Sequence, residues 1–343
     1  MPTISEDVKL DFSDVLIVPK SSSLKSRNDV NLEREIKFTH SGRTWKGIPI
    51  MVANMDTTGT IDMARTLQGK HMITCLHKFY NPEDIPIDEL DRDYFTISCG
   101  TSDAEMEKLE KMVQTVEPHF ICLDVANGYL DNVIDRIRYI REKYPKITLI
   151  AGNVVTPELV TKYYENGVDI VKMGIGSGSV CTTRLQTGIG YPQLSCIADT
   201  RPHIPDDCYI ISDGGIQQPG DFSKAYGAGA DFVMSGGMFA GHNECAGEIL
   251  EENGIVYKIF YGMSSLNAMN KYYGSVSKYR SAEGKCVKIK HRGPVTNTIQ
   301  NILGGIRSTM TYIGANVINE IKDNASFIRV NNQANRIYNA NNV

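Results

Sequence analysis

The run Gly174-Ile175-Gly176-Ser177-Gly178-Ser179-Val180-Cys181-Thr182-Thr183-Arg184 is the densest concentration of chemistry-bearing residues in the sequence. Three glycines bracket a serine-containing stretch that leads to a cysteine. The nucleophilic form of cysteine is the thiolate, which a basic neighbour or a helix N-terminus stabilises by lowering the pKa below about 8.5. Thr182, Thr183 and Arg184 are polar neighbours able to hydrogen-bond or to move protons. Carbonyls turned inward by such a loop suit a hard monovalent cation, because hard ions take oxygen ligands. The plain alternative is a glycine-rich surface loop with an incidental thiol.

Two glycine pairs, Gly214-Gly215 and Gly236-Gly237, follow apolar runs. Glycine lets a backbone approach a ligand closely and adopt positive φ. At the corresponding ends of a barrel such turns hold phosphate on backbone N–H groups. The alternative is two tight turns with no ligand. Asp213 cannot serve a phosphate, but its carboxylate fits a ribose diol. Lys78 closes another apolar run and could meet an anion or substrate. Glu283 lies in a loop where a carboxylate is ordinarily just solvated. His77 reads as a structural histidine.

These residues need a frame that brings them to one place. Eight short apolar runs supply it: Ile48 to Ala53, Met72 to Leu76, Phe95 to Cys99, Phe120 to Ala126, Ile147 to Ala151, Ile170 to Met173, Tyr209 to Ser212 and Phe232 to Met234. Near-continuous apolar runs mark strands buried on both faces of a parallel sheet. Helical spacing separates most of them, as in Asp103 to Val113 and Leu130 to Ile140. Thr156-Pro157-Glu158 reads as a helix start and Asn166-Gly167 as its left-handed end. Gly167-Val168-Asp169 and Gly229-Ala230-Asp231 punctuate two strands in the same phase, as a repeated βα unit would. The expected fold is an α/β, (β/α)8 TIM barrel occupying residues 1–343 as one domain. It would carry an N-terminal extension, 1–47, over the barrel bottom. A long insertion after strand eight, 238–291, would precede an eighth helix at Asn297 to Arg307. Inside the insertion, Gly254 to Gly262 reads as a strand or hairpin. A barrel places its site at the C-terminal strand ends, where Asn54, Asp56, His77, Lys78, Asp124, Asn153 and both glycine pairs fall.

Composition agrees with a globular enzyme. The chain has 343 residues, 41% hydrophobic and 22% charged, so neither disorder nor a fibrous repeat is indicated. A formal net charge of −4 gives no basic surface for nucleic acid. No apolar run approaches the roughly 20 residues of a membrane helix. The N-terminal stretch lacks a signal core, so a cytoplasmic protein is expected. The eight cysteines include no CxxC pair and the sequence contains no HExxH. Most cysteines therefore read as buried reduced thiols, and zinc is not expected.

With the motifs in hand, the chain resembles the IMP dehydrogenase/GMP reductase family. The resemblance rests on GIGSGSVCTTR at 174–184 together with LDFSDVLIVP at 10–19, ANMDT at 53–57, DVANGY at 124–129 and AGNVVT at 151–156. SDGG at 212–215, GGMFAGH at 236–242, FYGMSS at 260–265 and AEGK at 282–285 extend it over roughly residues 8 to 338. HKFY at 77–80, NMDT at 54–57 and FYGMSS favour the reductase branch. That branch implies NADPH-dependent reductive deamination of GMP to IMP with release of ammonia, part of purine nucleotide salvage.

The resemblance also implies roles. Cys181 would form a covalent thioimidate at purine C2, with Thr183 and Glu283 as the proton relay and Lys78 near the nicotinamide. Ser179, Asp213, Gly214, Gly215, Gly236 and Gly237 would hold GMP phosphate and ribose. Gly262, Met263, Ser264, Arg280, Glu283 and Gly284 would hold the base. Lys78, Asp124, Val125, Ala126, Ile175 and Gly176 would contact NADPH. Ser26 and Arg27 match positions reaching a neighbouring subunit's cofactor, which implies a homotetramer. Gly176, Gly178, Cys181 and Arg184 match a potassium-binding loop, and Ser177 stands where the family more often has proline.

Three other readings compete. An IMP dehydrogenase would oxidise IMP with NAD and needs a water-activating flap. The order Tyr279-Arg280 is the reverse of that branch's Arg-Tyr pair, and 238–291 is short for the flap. Only residues 77 to 94 separate strands two and three, which leaves no room for the regulatory insert common there. A non-catalytic nucleotide-binding regulator would not need Cys181, Thr183 and Glu283 intact. A phosphosugar isomerase would explain the glycines but not the cysteine loop.

Overall fold

A computed structural model describes residues 4–274 and 281–331. Eight strands close a parallel barrel: β1 (Ile50–Val52), β2 (Ile73–Cys75), β3 (Phe95–Cys99), β4 (Phe120–Asp124), β5 (Thr148–Val154), β6 (Ile170–Met173), β7 (Tyr209–Asp213) and β8 (Phe232–Ser235). They follow one another around the ring in chain order, and β8 meets β1 with Val233 opposite Ile50. This is the (β/α)8 architecture expected from the apolar runs.

The helices on its outside are α1 (Ile61–Gln68), α2 (Asp103–Val116), α3 (Asp131–Lys143), α4 (Pro157–Glu165), α5 (Gln193–Thr200) and α6 (Pro219–Gly227). Beyond them come α7 (Leu266–Tyr273), inside the insertion, and α8 (Val295–Ile313). Their apolar stripes pack on the sheet; α3, for example, buries Val133, Ile134, Ile137 and Ile140. The chain passes from β2 to β3 without an α-helix, through a single 3-10 turn at Pro82–Asp84. No helix among the described residues is long and apolar enough to cross a membrane.

The repeated Gly-x-Asp punctuation has one physical use. Gly167 and Gly229 take φ of +99° and +107°, which a side chain would resist. Asp169 then accepts the Leu149 N–H at 2.9 Å and an Arg141 hydrogen bond at 2.6 Å. Asp231 does the same with the Ile210 N–H at 2.9 Å and Arg201 at 3.0 Å. Each aspartate locks the start of its strand to the preceding one.

The extension divides into two parts. Strands Arg34–Lys37 and Thr44–Gly47 form a hairpin whose Ile36, Phe38 and Trp45 enter the lower lumen, against Phe120, Ile170, Ile211 and Phe232. Trp45 is 1% exposed and donates its indole N–H to the Asp93 carbonyl at 2.9 Å. This part covers the barrel bottom as expected. The earlier part does not. Val15–Ile17 pairs antiparallel with Phe327–Arg329, and residues 10 to 12 lie against α5 and α6. There Leu10 N–H donates to Ser195 Oγ at 2.8 Å and Lys224 Nζ donates to the Phe12 carbonyl at 2.9 Å.

The insertion is more elaborate than a hairpin. Ile249–Glu252, Ile255–Tyr261 and Cys286–Lys290 form a three-stranded antiparallel sheet, with α7 between its second and third strands. Strand β5 also runs beyond Ala151 to Val154, so Gly152 and Asn153 lie within it. The polar Asn153 is tolerated there because its side chain finds two partners inside the barrel mouth.

Candidate active site

Cys181 follows β6 on a loop whose shape depends on glycine. Gly174 and Gly176 have φ of +146° and +79°, and a Cβ on Gly176 would lie 2.6 Å from Arg184 Cγ. Ser177, where the resemblance leads one to expect proline, donates its hydroxyl to the Asp213 carbonyl at 2.8 Å. Its own carbonyl accepts from Gly215 N–H at 2.9 Å. Two hydrogen bonds thus tie the loop to the end of β7 in place of a ring-restricted residue. Cys181 N–H donates to the Gly178 carbonyl at 3.0 Å, which turns the chain beneath the thiol.

The thiol donates to Thr183 Oγ1 at 3.2 Å, and that hydroxyl donates to Glu283 Oε2 at 2.7 Å. Glu283 comes from the insertion, and the backbone explains how it arrives. Thr182 N–H donates to the Glu283 carbonyl at 2.8 Å and Lys285 N–H to the Val180 carbonyl at 2.9 Å. Cys181 and Gly284 form an antiparallel bridge, and Gly284 also bridges Ser265. Glu283 N–H donates to the Ser264 carbonyl at 3.0 Å. A Cβ on Gly262 would meet Gly284 Cα at 3.2 Å, so both glycines are required by the closeness of the two backbones.

Cys181 is partly exposed. By contrast, Cys75, Cys99, Cys122, Cys196, Cys208 and Cys245 are buried, and burial pushes the Cys75, Cys196 and Cys208 thiols up to about 12. Cys286 is exposed, on the outer strand of the insertion.

Arg184 directs its guanidinium away from the thiol, to both Asp11 oxygens at 2.8 and 3.3 Å and to the Tyr191 carbonyl at 2.7 Å. The Asp11 hydrogen bond raises its pKa above the ordinary arginine value. Its side chain is therefore committed to bracing the loop. Asp11 carried no signal in the sequence beyond its place in an N-terminal motif.

The glycine pairs differ in kind. Gly214 and Gly215 have φ of +86° and +78°. Gly236 and Gly237 are there for space: a Cβ would sit 2.6 Å from Met55 Sδ in the first case and 2.6 Å from Ser179 Oγ in the second. Ser179 thus faces the turn after β8.

Below this surface a buried lysine that was not among the candidate residues joins two carboxylates that were. Lys172 on β6 is 3% exposed and its ammonium reaches Asp124 Oδ1 at 2.6 Å and Asp213 Oδ2 at 2.9 Å. Burial opposes its charge, but the two carboxylates outweigh that and hold its pKa well above the usual value. Burial likewise works against the Asp124 carboxylate, which Lys172 nevertheless holds below its usual pKa. A single lysine inside the apolar run Ile170 to Met173 was the available signal, since a buried ammonium requires partners.

Lys78, after β2, bonds Glu105 Oε1 at 2.6 Å. The other Glu105 oxygen caps α2 by accepting from Ser102 Oγ at 2.7 Å. His77 stacks on Tyr80 with ring centroids 3.9 Å apart, and burial lowers its pKa to about 4, consistent with a structural role. Next to it, Asp56 Oδ2 accepts from Tyr261 OH at 2.6 Å, Tyr272 OH at 2.8 Å and Lys271 Nζ at 2.9 Å. Tyr272 also stacks on Phe79. These contacts dock α7 on the ends of β1 and β2. Met263 Sδ accepts from Asp56 N–H at 3.4 Å.

Val125 exchanges backbone hydrogen bonds with Gly152 and Asn153, and Ala126 follows it directly. The Ile175 carbonyl accepts from Tyr191 N–H at 3.2 Å. Ser26 caps a 3-10 turn at Arg27–Asp29, and both Ser26 and Arg27 are exposed beside α8. Arg280, along with the Tyr279-Arg280 pair, lies outside the described residues.

Comparison with known proteins agrees with this geometry. The family profile described as "IMP dehydrogenase / GMP reductase domain" matches residues 9–338. Proteins named GMP reductase from Klebsiella pneumoniae subsp. pneumoniae, Salmonella paratyphi B and Salmonella typhi are each 51% identical to the chain. Each alignment covers 98% of this chain and 99% of the relative. A closed parallel barrel with a cysteine loop on its C-terminal face, matched along nearly its whole length, belongs to the IMP dehydrogenase/GMP reductase family.

Proposed function

We propose that the protein is an oxidoreductase of purine metabolism, an NADPH-dependent GMP reductase that converts GMP to IMP and releases ammonia. The observation that carries this reading is the Cys181–Thr183–Glu283 hydrogen-bond chain, with the sulfur on a loop and the carboxylate delivered by the insertion. The relatives' shared name supports GMP as substrate.

Purine C2 bearing an amino group is a poor hydride acceptor, and covalent catalysis divides the difficulty. The Cys181 thiol passes its proton toward Glu283 by way of Thr183, and sulfur bonds to C2 as the C2–N3 double bond gives its electron pair to N3. The amino group accepts a proton from the same pair, because amide anion is too poor a leaving group. The C2–N3 double bond then re-forms as the bond to the exocyclic nitrogen breaks, ammonia departs and a C2–S thioimidate remains. NADPH, when bound, would supply a hydride to C2, again moving the double-bond pair to N3. That double bond re-forms as the C2–S bond breaks with its electron pair going to sulfur, and IMP is free to leave.

The residues fit the two groups that the family implies. Lys78, Asp124, Val125 and Ala126 gather at the ends of β2 and β4, where a nicotinamide can face the sulfur loop, with Ile175 and Gly176 on the loop itself. The segment 174–184 contains no carboxylate, so its oxygen donors are carbonyls and hydroxyls, a set suited to potassium rather than a divalent ion. Gly176, Gly178, Cys181 and Arg184 would offer main-chain carbonyls. GMP would lie along Ser179, Asp213, Gly214, Gly215, Gly236 and Gly237, with its base toward Gly262, Met263, Ser264, Arg280 and Gly284. The exposure of Ser26 and Arg27 suits contact with a second subunit's cofactor in a homotetramer. We further read residues 1–343 as one barrel domain of a cytoplasmic enzyme.

The direct test mixes protein, GMP and NADPH and follows both loss of reduced-cofactor absorbance and release of ammonia. Turnover with both signals is expected. Reduction of NAD with IMP, without turnover of GMP, would overturn the reading in favour of the dehydrogenase.

A further inference from the structure

We propose that Lys172 is a positioning residue that holds the substrate-side carboxylate Asp213 and the cofactor-side carboxylate Asp124 on one buried ammonium, so that the two binding regions share a single counter-charge. The inference rests on the GMP reductase reading for which ligand lies on which side.

The geometry is a row across four adjacent strands. Asp124 ends β4, Asn153 lies in β5, Lys172 in β6 and Asp213 ends β7. Lys172 Nζ contacts both carboxylates, at 2.6 and 2.9 Å. Asn153 Nδ2 donates to the same Asp213 oxygen at 2.9 Å and to the Gly174 carbonyl at 2.7 Å. The Asp213 carbonyl in turn accepts from Ser177. On the other side, Asn54 after β1 hydrogen-bonds Asp124. Each carboxylate therefore has its own amide support, and Lys172 touches both.

Charge makes the sharing consequential. Two carboxylates and one ammonium leave a net charge of −1 inside the barrel mouth. The other titratable groups that face this cluster are the Cys75, Cys99 and Cys122 thiols below it, kept neutral by burial, and Lys78 above Asp124. Without the lysine, two like charges would share the barrel mouth with no cation between them and would repel each other. Neither carboxylate would then be held where a ribose hydroxyl can meet it.

The test is kinetic. In Lys172→Met, KM should rise about tenfold or more for both GMP and NADPH, because one partner of two buried pairs is gone. Adding Asp124→Asn, which removes one of the two like charges left facing the site, should bring the KM for GMP part of the way back toward the parent value. Asn153→Ala should raise KM for GMP alone and Asn54→Ala should raise KM for NADPH alone. A folded Lys172→Met protein with both KM values within about twofold of the parent would overturn the proposal. If Lys172→Met does not fold, the two asparagine variants decide, and an equal effect of either on both ligands overturns it. If the parent turns over IMP and NAD instead, the same variants are read with that pair, so a failed reductase reading is distinguished from a failed Lys172 role.

Discussion

Thr183 and Glu283, 100 residues apart in the chain, are joined by a 2.7 Å hydrogen bond whose donor hydroxyl also accepts from the Cys181 thiol. This hydrogen-bond chain joins two parts of the fold, the barrel loop and the insertion. Each part can be tested alone.

Cys181→Ala should lower turnover by about a thousandfold or more while leaving GMP binding intact, since it removes a bond made only during reaction. Steady-state rates together with calorimetric GMP binding check both halves. Retained turnover would refute the covalent step.

Glu283→Gln and Thr183→Ala should each lower kcat by about a hundredfold to ten-thousandfold, the usual weight of positioned proton transfer. Because both act on one path, the double variant should be little worse than the poorer single one. Ammonia release in a single turnover is the measurement, and fully additive losses would separate the two residues.

Asp56→Ala removes the acceptor of three donors from α7 and its flanking strand. Two of those groups are tyrosine hydroxyls, of buried Tyr261 and half-buried Tyr272, so a loss of about 2–4 kcal/mol is expected. Denaturant unfolding reads the loss, and limited proteolysis within 262–290 should become faster as α7 undocks.

His77 gives stability a pH dependence of known sign. Burial lowers its folded pKa to about 4 from an ordinary 6.5. Between those values the unfolded chain binds the extra proton, so stability falls as pH drops from about 6.5 to about 4 and is flat with respect to this group below that. His77→Phe should keep the stack on Tyr80 and flatten that part of the curve. An unchanged slope in thermal unfolding across the window would show that His77 is not its source.

The parts legible in the sequence were those set by local pattern. The apolar runs located all eight strands because both faces of a parallel sheet are buried, and Thr156-Pro157 and Asn166-Gly167 marked the ends of α4 within a residue. Cys181 stood out from the loop that carries it. The pairing of Thr183 with Glu283 came from the family resemblance and not from local spacing, because their hydrogen bond depends on how the insertion folds back. Lys172 escaped for the same reason, and Asp56 was placed at a strand end without its contacts, because their partners come from other strands or from α7. Residues 10 to 12 were misplaced at the barrel bottom because an extension with no helical or strand period gives no clue to the side on which it lies.

The pairing of Val15–Ile17 with Phe327–Arg329 sets an order of assembly. A strand made among the first residues of the chain must wait for one made among the last. Until that late strand leaves the ribosome, the segment carrying Asp11 is held from one side only, and Asp11 is the brace of Arg184 beside the cysteine. During synthesis the barrel strands can therefore be complete while the Asp11 segment is held only by its bonds to α5, α6 and Arg184, so a chain truncated before residue 327 is expected to hold its cysteine loop less firmly.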